Sequence, residues 1–183
     1  KGIQTDPPCR PVSTQSQMIA RLIEIEAGFM TLHQIDVKSQ AANLNLTVDI
    51  PKLNVAEYHR PYVAIWIEGA ALPAVANLAV LYDLDMKNNE GTKWLRDMRQ
   101  WWRKSGRTLT MPVDGISGAT RAPGTHSLAY TGGKAPLGKL PAGSYELVVE
   151  AAREVGGREL VRIPFQWPPK SAQALKAQGQ TEL

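Results

Sequence analysis

The chain holds a single cysteine, Cys9, so no disulfide can form within it, and neither an oxidising nor a reducing compartment is implied. Cys9 lies in a Pro-rich leader and reads as an incidental residue of that arm, with an intermolecular link or attachment point as the alternative. No apolar run approaches the about 20 residues that a spanning helix needs, so no membrane span is expected. Phosphate-binding glycine loops, dinucleotide fingerprints and Gly-flanked nucleophilic serines are missing. That leaves no evident site for taking a hydride directly from a nicotinamide, and nothing to recommend a stand-alone hydrolase. His33, His59 and His126 stand far apart, none in a ligand-spaced pair, so a metal site would have to be assembled wholly by the fold. Excess charge is small too: 21 Lys and Arg against 17 Asp and Glu give a formal +4, spread along the chain. No electrostatic footprint for nucleic acid is present.

What is present suits one domain. A chain of 183 residues with 43% hydrophobic side chains can enclose one core. Residues 1–17 carry Pro7, Pro8 and Pro11 among polar neighbours and read as a flexible Pro-rich arm. Residues 18–168 read as the folded domain. The Ala-, Gln- and Lys-rich residues 169–183 are expected to be a flexible tail, disordered or weakly helical. The chain opens on Lys1 and not on methionine, which leads us to expect that a leading segment has been removed; no export signal is visible.

Alternation of apolar and polar residues marks the strands. Leu22-Ile23-Glu24-Ile25-Glu26 suits a strand, with a short helix as the alternative. Leu44, Leu46, Val48 and Ile50 alternate with Asn45, Thr47 and Asp49, predicting a half-buried strand that Pro51 ends. Tyr62-Val63-Ala64-Ile65-Trp66-Ile67-Glu68 is rich in β-branched and aromatic residues and predicts a central strand, and residues 75–82 supply the next. Over residues 92–105 the period changes. Trp94, Leu95, Met98, Trp101 and Trp102 fall at helical spacing, while Lys93, Arg96, Arg99, Gln100, Arg103 and Lys104 occupy the rest. One amphipathic helix is expected there, with Thr92 as N-cap and Gly106 just past its end. Residues 108–113 read as a short edge strand limited by Pro112, and residues 125–131 alternate modestly. Tyr145, Leu147, Val149 and Ala151 precede Gly156-Gly157, and Val161, Ile163, Phe165 and Trp167 follow it, which predicts a hairpin. Seven or eight strands with one inserted amphipathic helix point to an all-β fold, an immunoglobulin-like β-sandwich.

Between the Trp-rich segment and the later strands lies Val113-Asp114-Gly115-Ile116-Ser117-Gly118-Ala119-Thr120-Arg121, whose glycines and small polar residues read as an exposed turn. The run from Asp114 to Thr120 resembles the acceptor motif of extracytoplasmic flavoproteins: an aspartate, two spacers, Ser or Thr, then Gly-Ala-Thr. The resemblance implies that a dedicated FMN transferase, drawing on FAD, joins FMN through a phosphoester to Thr120. A threonine hydroxyl is a poor nucleophile at neutral pH, so such an acceptor must enter a separate active site where a base and a metal ion activate it. Gly118 and Ala119 are thin neighbours for that entry, and Gly118 admits backbone angles that a Cβ resists. Asp114 and Ser117 can close local side-chain to backbone hydrogen bonds that hold the turn, with Gly115 as a spacer. Arg121 is a candidate phosphate contact, whereas Arg103, Lys104 and Arg107 read as a solvated basic surface. Trp94, Trp101 and Trp102 invite a flavin-stacking interpretation, but their spacing assigns them to covering the core, with one edge left as a candidate flavin contact.

Two wider stretches resemble known modules. Thr125-His126-Ser127-Leu128-Ala129-Tyr130-Thr131-Gly132-Gly133 and Leu140-Pro141-Ala142-Gly143-Ser144-Tyr145-Glu146-Leu147 are similar to the closing strands of the immunoglobulin-like module of flagellar hook-capping proteins. Residues 58–167 resemble a family of predicted periplasmic domains of unknown function, through Arg60-Pro61-Tyr62-Val63-Ala64, Lys93-Trp94-Leu95-Arg96 and Gly156-Gly157-Arg158-Glu159-Leu160. That resemblance implies a periplasmic protein. With FMN on Thr120 it would be an electron-transfer relay, fed by a membrane flavin or haem reductase, and a redox carrier more than a stand-alone enzyme. A covalent link would keep the cofactor near its partners where free FMN diffuses away. The alternative is a non-catalytic immunoglobulin-like binding or scaffold module of the cell envelope.

Overall fold

The computed structural model of the protein describes residues 30–38, 41–70, 72 and 75–183. The arm, Cys9 and the strand expected at Leu22-Ile23-Glu24-Ile25-Glu26 lie outside them. Nine strands are found among the described residues: β1 (Met30–Lys38), β2 (Ala41–Ile50), β3 (Tyr62–Glu68), β4 (Ala76–Tyr82), β5 (Ser117–Ala119), β6 (Gly124–Thr131), β7 (Gly143–Ala152), β8 (Arg158–Trp167) and β9 (Gln173–Ala177). They form a four-stranded sheet in the order β6-β2-β1-β9 and a five-stranded sheet in the order β5-β4-β3-β7-β8. Neighbours run antiparallel except β4 and β5, which are parallel.

Alternation with a period of two builds the space between the sheets. Leu44, Leu46, Val48 and Ile50 of β2 meet Val63, Ile65 and Ile67 of β3, Leu147, Val149 and Ala151 of β7, and Val161, Ile163 and Phe165 of β8. Burying each large apolar side chain there contributes about 1.5–3 kcal/mol. The result is the all-β sandwich that the alternation predicts. In β3 the residues of the opposite phase, Tyr62, Ala64 and Trp66, are buried as well. They belong to a second apolar cluster on the outer face of the five-stranded sheet, closed by Leu95, Met98 and Trp101 from the β4–β5 connection. A strand covered on both faces reads as a continuous apolar run, as Tyr-Val-Ala-Ile-Trp-Ile does.

That connection differs from the single helix expected over residues 92–105. It is a run of 3₁₀ turns over Lys87–Asp97, with Asn88 and Asn89 in left-handed conformations, followed by a short α-helix, α1 (Arg99–Lys104). Thr92 does not cap a helix; its Oγ1 donates to the Asn89 carbonyl at 2.7 Å. The break falls at Met98, where ψ is 74°. Just beyond it the fully buried Glu150 carboxylate of β7 accepts the backbone N–H groups of Gln100 (3.1 Å) and Trp101 (2.8 Å). An acceptor from another strand thus starts a new helix inside the predicted one. Trp101 Nε1 donates to Asn77 Oδ1 and Asn77 Nδ2 to Ser105 Oγ, pinning the far end of α1 to β4.

Two further expectations change. Residues 108–113 form no strand, because the Ser105 and Gly106 carbonyls accept from Thr108 and Leu109 in a local turn. Residues 169–183, expected as a flexible tail, contribute β9, which pairs with β1 at Met30↔Ala177 and Leu32↔Leu175. The last residues are held by carboxylates. Glu159 accepts the backbone N–H groups of Gln180, Thr181, Glu182 and Leu183, and the buried Glu182 is paired with Arg153 at 3.0 Å.

Candidate functional site

The acceptor-like stretch is an ordered sheet edge, preceded by a tight turn. Gly115 carries the left-handed conformation the turn requires, at φ +73°. The Val113 carbonyl accepts from the backbone of Ile116 and Ser117, and Ser117 Oγ accepts the Val113 N–H at 2.8 Å. Asp114 is exposed at the tip of this turn. Beyond it β5 runs parallel to β4 in the register Val80↔Ser117, Leu81↔Gly118 and Tyr82↔Ala119, and Thr120 N–H donates to the Tyr82 carbonyl at 3.1 Å. Gly118 is not in a left-handed conformation, so its value here is its size. A Cβ on it would stand 3.0 Å from Leu81 Cδ2, tighter than ordinary contact.

Parallel pairing puts the residues that follow each strand side by side. Asp83 follows β4 and Thr120 follows β5, and Thr120 Oγ1 donates to Asp83 Oδ1 at 3.3 Å. The other carboxylate oxygen accepts from the Tyr62 hydroxyl at 3.2 Å. Burial, reinforced by the facing Asp83 carboxylate, pushes the Tyr62 phenol well above its ordinary range, so it stays a donor. Gly91 is buried against Asp83, where any side chain would collide with the Asp83 carbonyl. Its absence lets the 3₁₀ segment close over the strand end and brings Trp94 to the same place.

Thr120, Asp83, Tyr62 and Trp94 line one cleft of about 320 Å³ at this end of the five-stranded sheet. Its remaining walls are Tyr58, His59 and Arg60, which lead into β3, and Ala152, Arg153 and Glu154, where β7 gives way to the hairpin turn; Asp97 closes the rim. The Tyr58 hydroxyl is buried with no hydrogen-bond partner, and burial pushes its phenol up, partly offset by Arg153. His59 sits between Glu57 (3.0 Å) and Glu154 (3.6 Å).

Of the residues singled out in the sequence, Asp114, Gly115, Ser117, Gly118 and Ala119 form the turn and edge strand that carry Thr120. Arg121 is exposed and lines a different cleft, between the sheets, together with Val48, Leu81 and His126. Lys104 pairs with Glu68 at 3.5 Å, and Arg103 donates to Gln100 at 2.7 Å. Trp101 is wholly buried and Trp102 half-buried, while Trp94 is 39% exposed. Asp83, Tyr58 and Arg153 carried no local signal in the sequence, and Arg60 stood out only in the Arg60-Pro61-Tyr62-Val63-Ala64 run of the family resemblance, because only strand register and a hairpin turn bring them to Thr120.

Among the described residues no helix is long and apolar enough to cross a membrane. A family model described as a predicted periplasmic protein (DUF2271) matches residues 43–183. No curated protein and no solved structure matches the chain.

Proposed function

Because the chain belongs to the DUF2271 family of predicted periplasmic proteins, we propose that it is a periplasmic electron carrier with FMN joined through a phosphoester to Thr120. The observation that carries the reading is the complete Asp-x-x-Ser-Gly-Ala-Thr run, whose last residue ends an edge strand at the mouth of a cleft. The residues fit such a group. Thr120 is half-buried, its Oγ1 is oriented by Asp83 beside the cleft, and the volume of about 320 Å³ lies within the range of small-molecule sites.

During attachment Thr120 Oγ1 attacks the FMN phosphorus of FAD. A bond from Thr120 oxygen to phosphorus forms, the pyrophosphate linkage breaks, AMP leaves, and the hydroxyl proton passes to a base of the transferase. Ala119 is small and exposed and leaves room for the transferase beside Thr120, whereas the missing side chain of Gly118 makes room for Leu81. The chain's own part is to hold the acceptor in one place: the Thr120 N–H on Tyr82 and its hydroxyl on Asp83 fix the side chain. When bound, FMN supplies the one- and two-electron chemistry that side chains lack. The electron donor to such a group would be a membrane flavin or haem reductase, and the acceptor a second carrier.

The test is the intact mass of the full chain co-produced in the periplasm with an FMN transferase, beside Thr120→Ala. A gain equal to FMN less water, in the parent only, is the expected result. An unmodified parent, with the transferase active on a control acceptor in the same cells, overturns the reading and leaves an immunoglobulin-like binding or scaffold module in its place.

A further inference from the structure

Trp94 is out of keeping with its own segment. Leu95, Met98 and Trp101 are wholly buried in the outer cluster, whereas the Trp94 indole is left 39% exposed on the cleft that Thr120 borders. An aromatic side chain of this size carries 150–250 Å² of surface, and leaving a large part of it in water forgoes stabilisation at about 25 cal/mol per Å². Tyr58, across the same cleft, has a buried hydroxyl with neither donor nor acceptor opposite it. The exposed indole is the feature of a surface that completes itself on a flat ligand.

The charges of the cleft select further. Arg153 is neutralised by Glu182, so the exposed Arg60 is the other arginine of a lining that also holds Asp83, Asp97, Glu154 and His59. A lining with this balance repels a free anion. It accepts an uncharged planar ring; esterification removes the proton that Thr120 Oγ1 donates to Asp83, so the anionic linkage turns away from that carboxylate toward the rim. Arg60 has no ion-pair partner among the described residues and is free to meet a carbonyl oxygen of such a ring.

We propose that this cleft is the seat of the flavin ring, stacked on Trp94, so that the cofactor attached at Thr120 folds back against the protein and does not project into solvent. The proposal rests on the Thr120 reading, and it adds residues that no acceptor motif contains. Stacking on an indole gives the excited flavin a nearby electron donor and extinguishes its emission, which makes the seat measurable without any redox assay.

The experiment compares flavin emission from the loaded full chain, the loaded Trp94→Ala variant and equimolar free FMN, with intact mass taken on each sample. We expect the loaded parent to be several-fold dimmer than free FMN, and Trp94→Ala to recover most of that loss with the mass gain unchanged. Trp94→Leu keeps more of the apolar contact and serves as the second variant; it should also recover emission, and far-UV circular dichroism establishes that both variants are folded. A loaded parent as bright as free FMN, or folded Trp94 variants as dim as the parent, overturns the seat and leaves the attachment standing. Absence of the mass gain in every sample overturns both.

Discussion

Replacing Glu150 tests how the cleft wall is held in place. This carboxylate is fully buried, yet it faces three donors: the backbone N–H groups of Gln100 and Trp101 and the Arg158 Nη1 at 2.8 Å. Glu150→Ala removes all three acceptor contacts at once. Arg158 is 38% exposed and turns to water at little cost, so the penalty falls on the two N–H groups. Each orphaned buried donor costs about 1–3 kcal/mol, so the variant loses about 2–6 kcal/mol, a large share of the about 5–15 kcal/mol that holds a typical domain together. Glu150→Gln keeps one acceptor oxygen and should lose about half as much. Urea unfolding followed by tryptophan emission reads both values. The loss should appear in the midpoint with little change in slope, because the surface exposed on unfolding is nearly the same. A Glu150→Ala variant within about 1 kcal/mol of the parent refutes the claim that this carboxylate starts α1. In that event the break at Met98 has some other cause.

Two other perturbations address the chain end and its pH dependence. Glu182→Ala strands the Arg153 guanidinium, 7% exposed, and the Gly157 N–H that donates to the same carboxylate at 2.9 Å; a loss of about 3–5 kcal/mol in urea unfolding is expected, and one below about 1 kcal/mol refutes a structural role for the pair. Burial alone would push the carboxyls of Glu159 and Glu68 up, but the backbone donors of the chain end at Glu159, and Trp66 with Arg162 at Glu68, outweigh it and hold both below the ordinary range. Groups lowered in the folded state add stability above their unfolded pKa and lose it as pH falls through the folded one. Thermal midpoints should therefore hold steady down to the ordinary carboxylate range and drop below it. Glu159→Gln should flatten that drop; parent and variant curves that stay parallel through the acid limb would sink the assignment.

The strands were legible wherever one face meets the core and the register is regular. β2, β3, β7 and β8 follow directly from the spacing of Leu44 to Ile50, Tyr62 to Ile67, Tyr145 to Ala151 and Val161 to Trp167. β1 carries no clean strand signal because its alternation slips phase: apolar residues stand at 30 and 32, then at 35 and 37. The slip coincides with the irregular register against β2 between Thr31 and Ile35, so a bulge was written into the sequence as a broken period. β9 has no such signal. Gln-Ala-Leu-Lys-Ala favours helix, and its strand state comes from the free edge of β1, a preference that tertiary pairing overrides.

The split of the Trp-rich segment shows why helical spacing alone could not build the site. Spacing assigned Leu95, Met98 and Trp101 to the core, and all three are there. It also put Trp94 on that face, and a straight helix would have kept it there. The helix does not start until Gln100 and Trp101 meet Glu150, fifty residues on in sequence, so the preceding turns follow a tighter path. On that path Gly91 tucks against Asp83 and Trp94 swings out over the end of β4. Thr120 arrives at the same place by a different route, through its parallel register with that strand. The chemistry proposed for Thr120 rests on seven consecutive residues, but its surroundings depend on a buried carboxylate, a missing side chain and one strand pairing, none of which leaves a mark near Thr120 in the sequence.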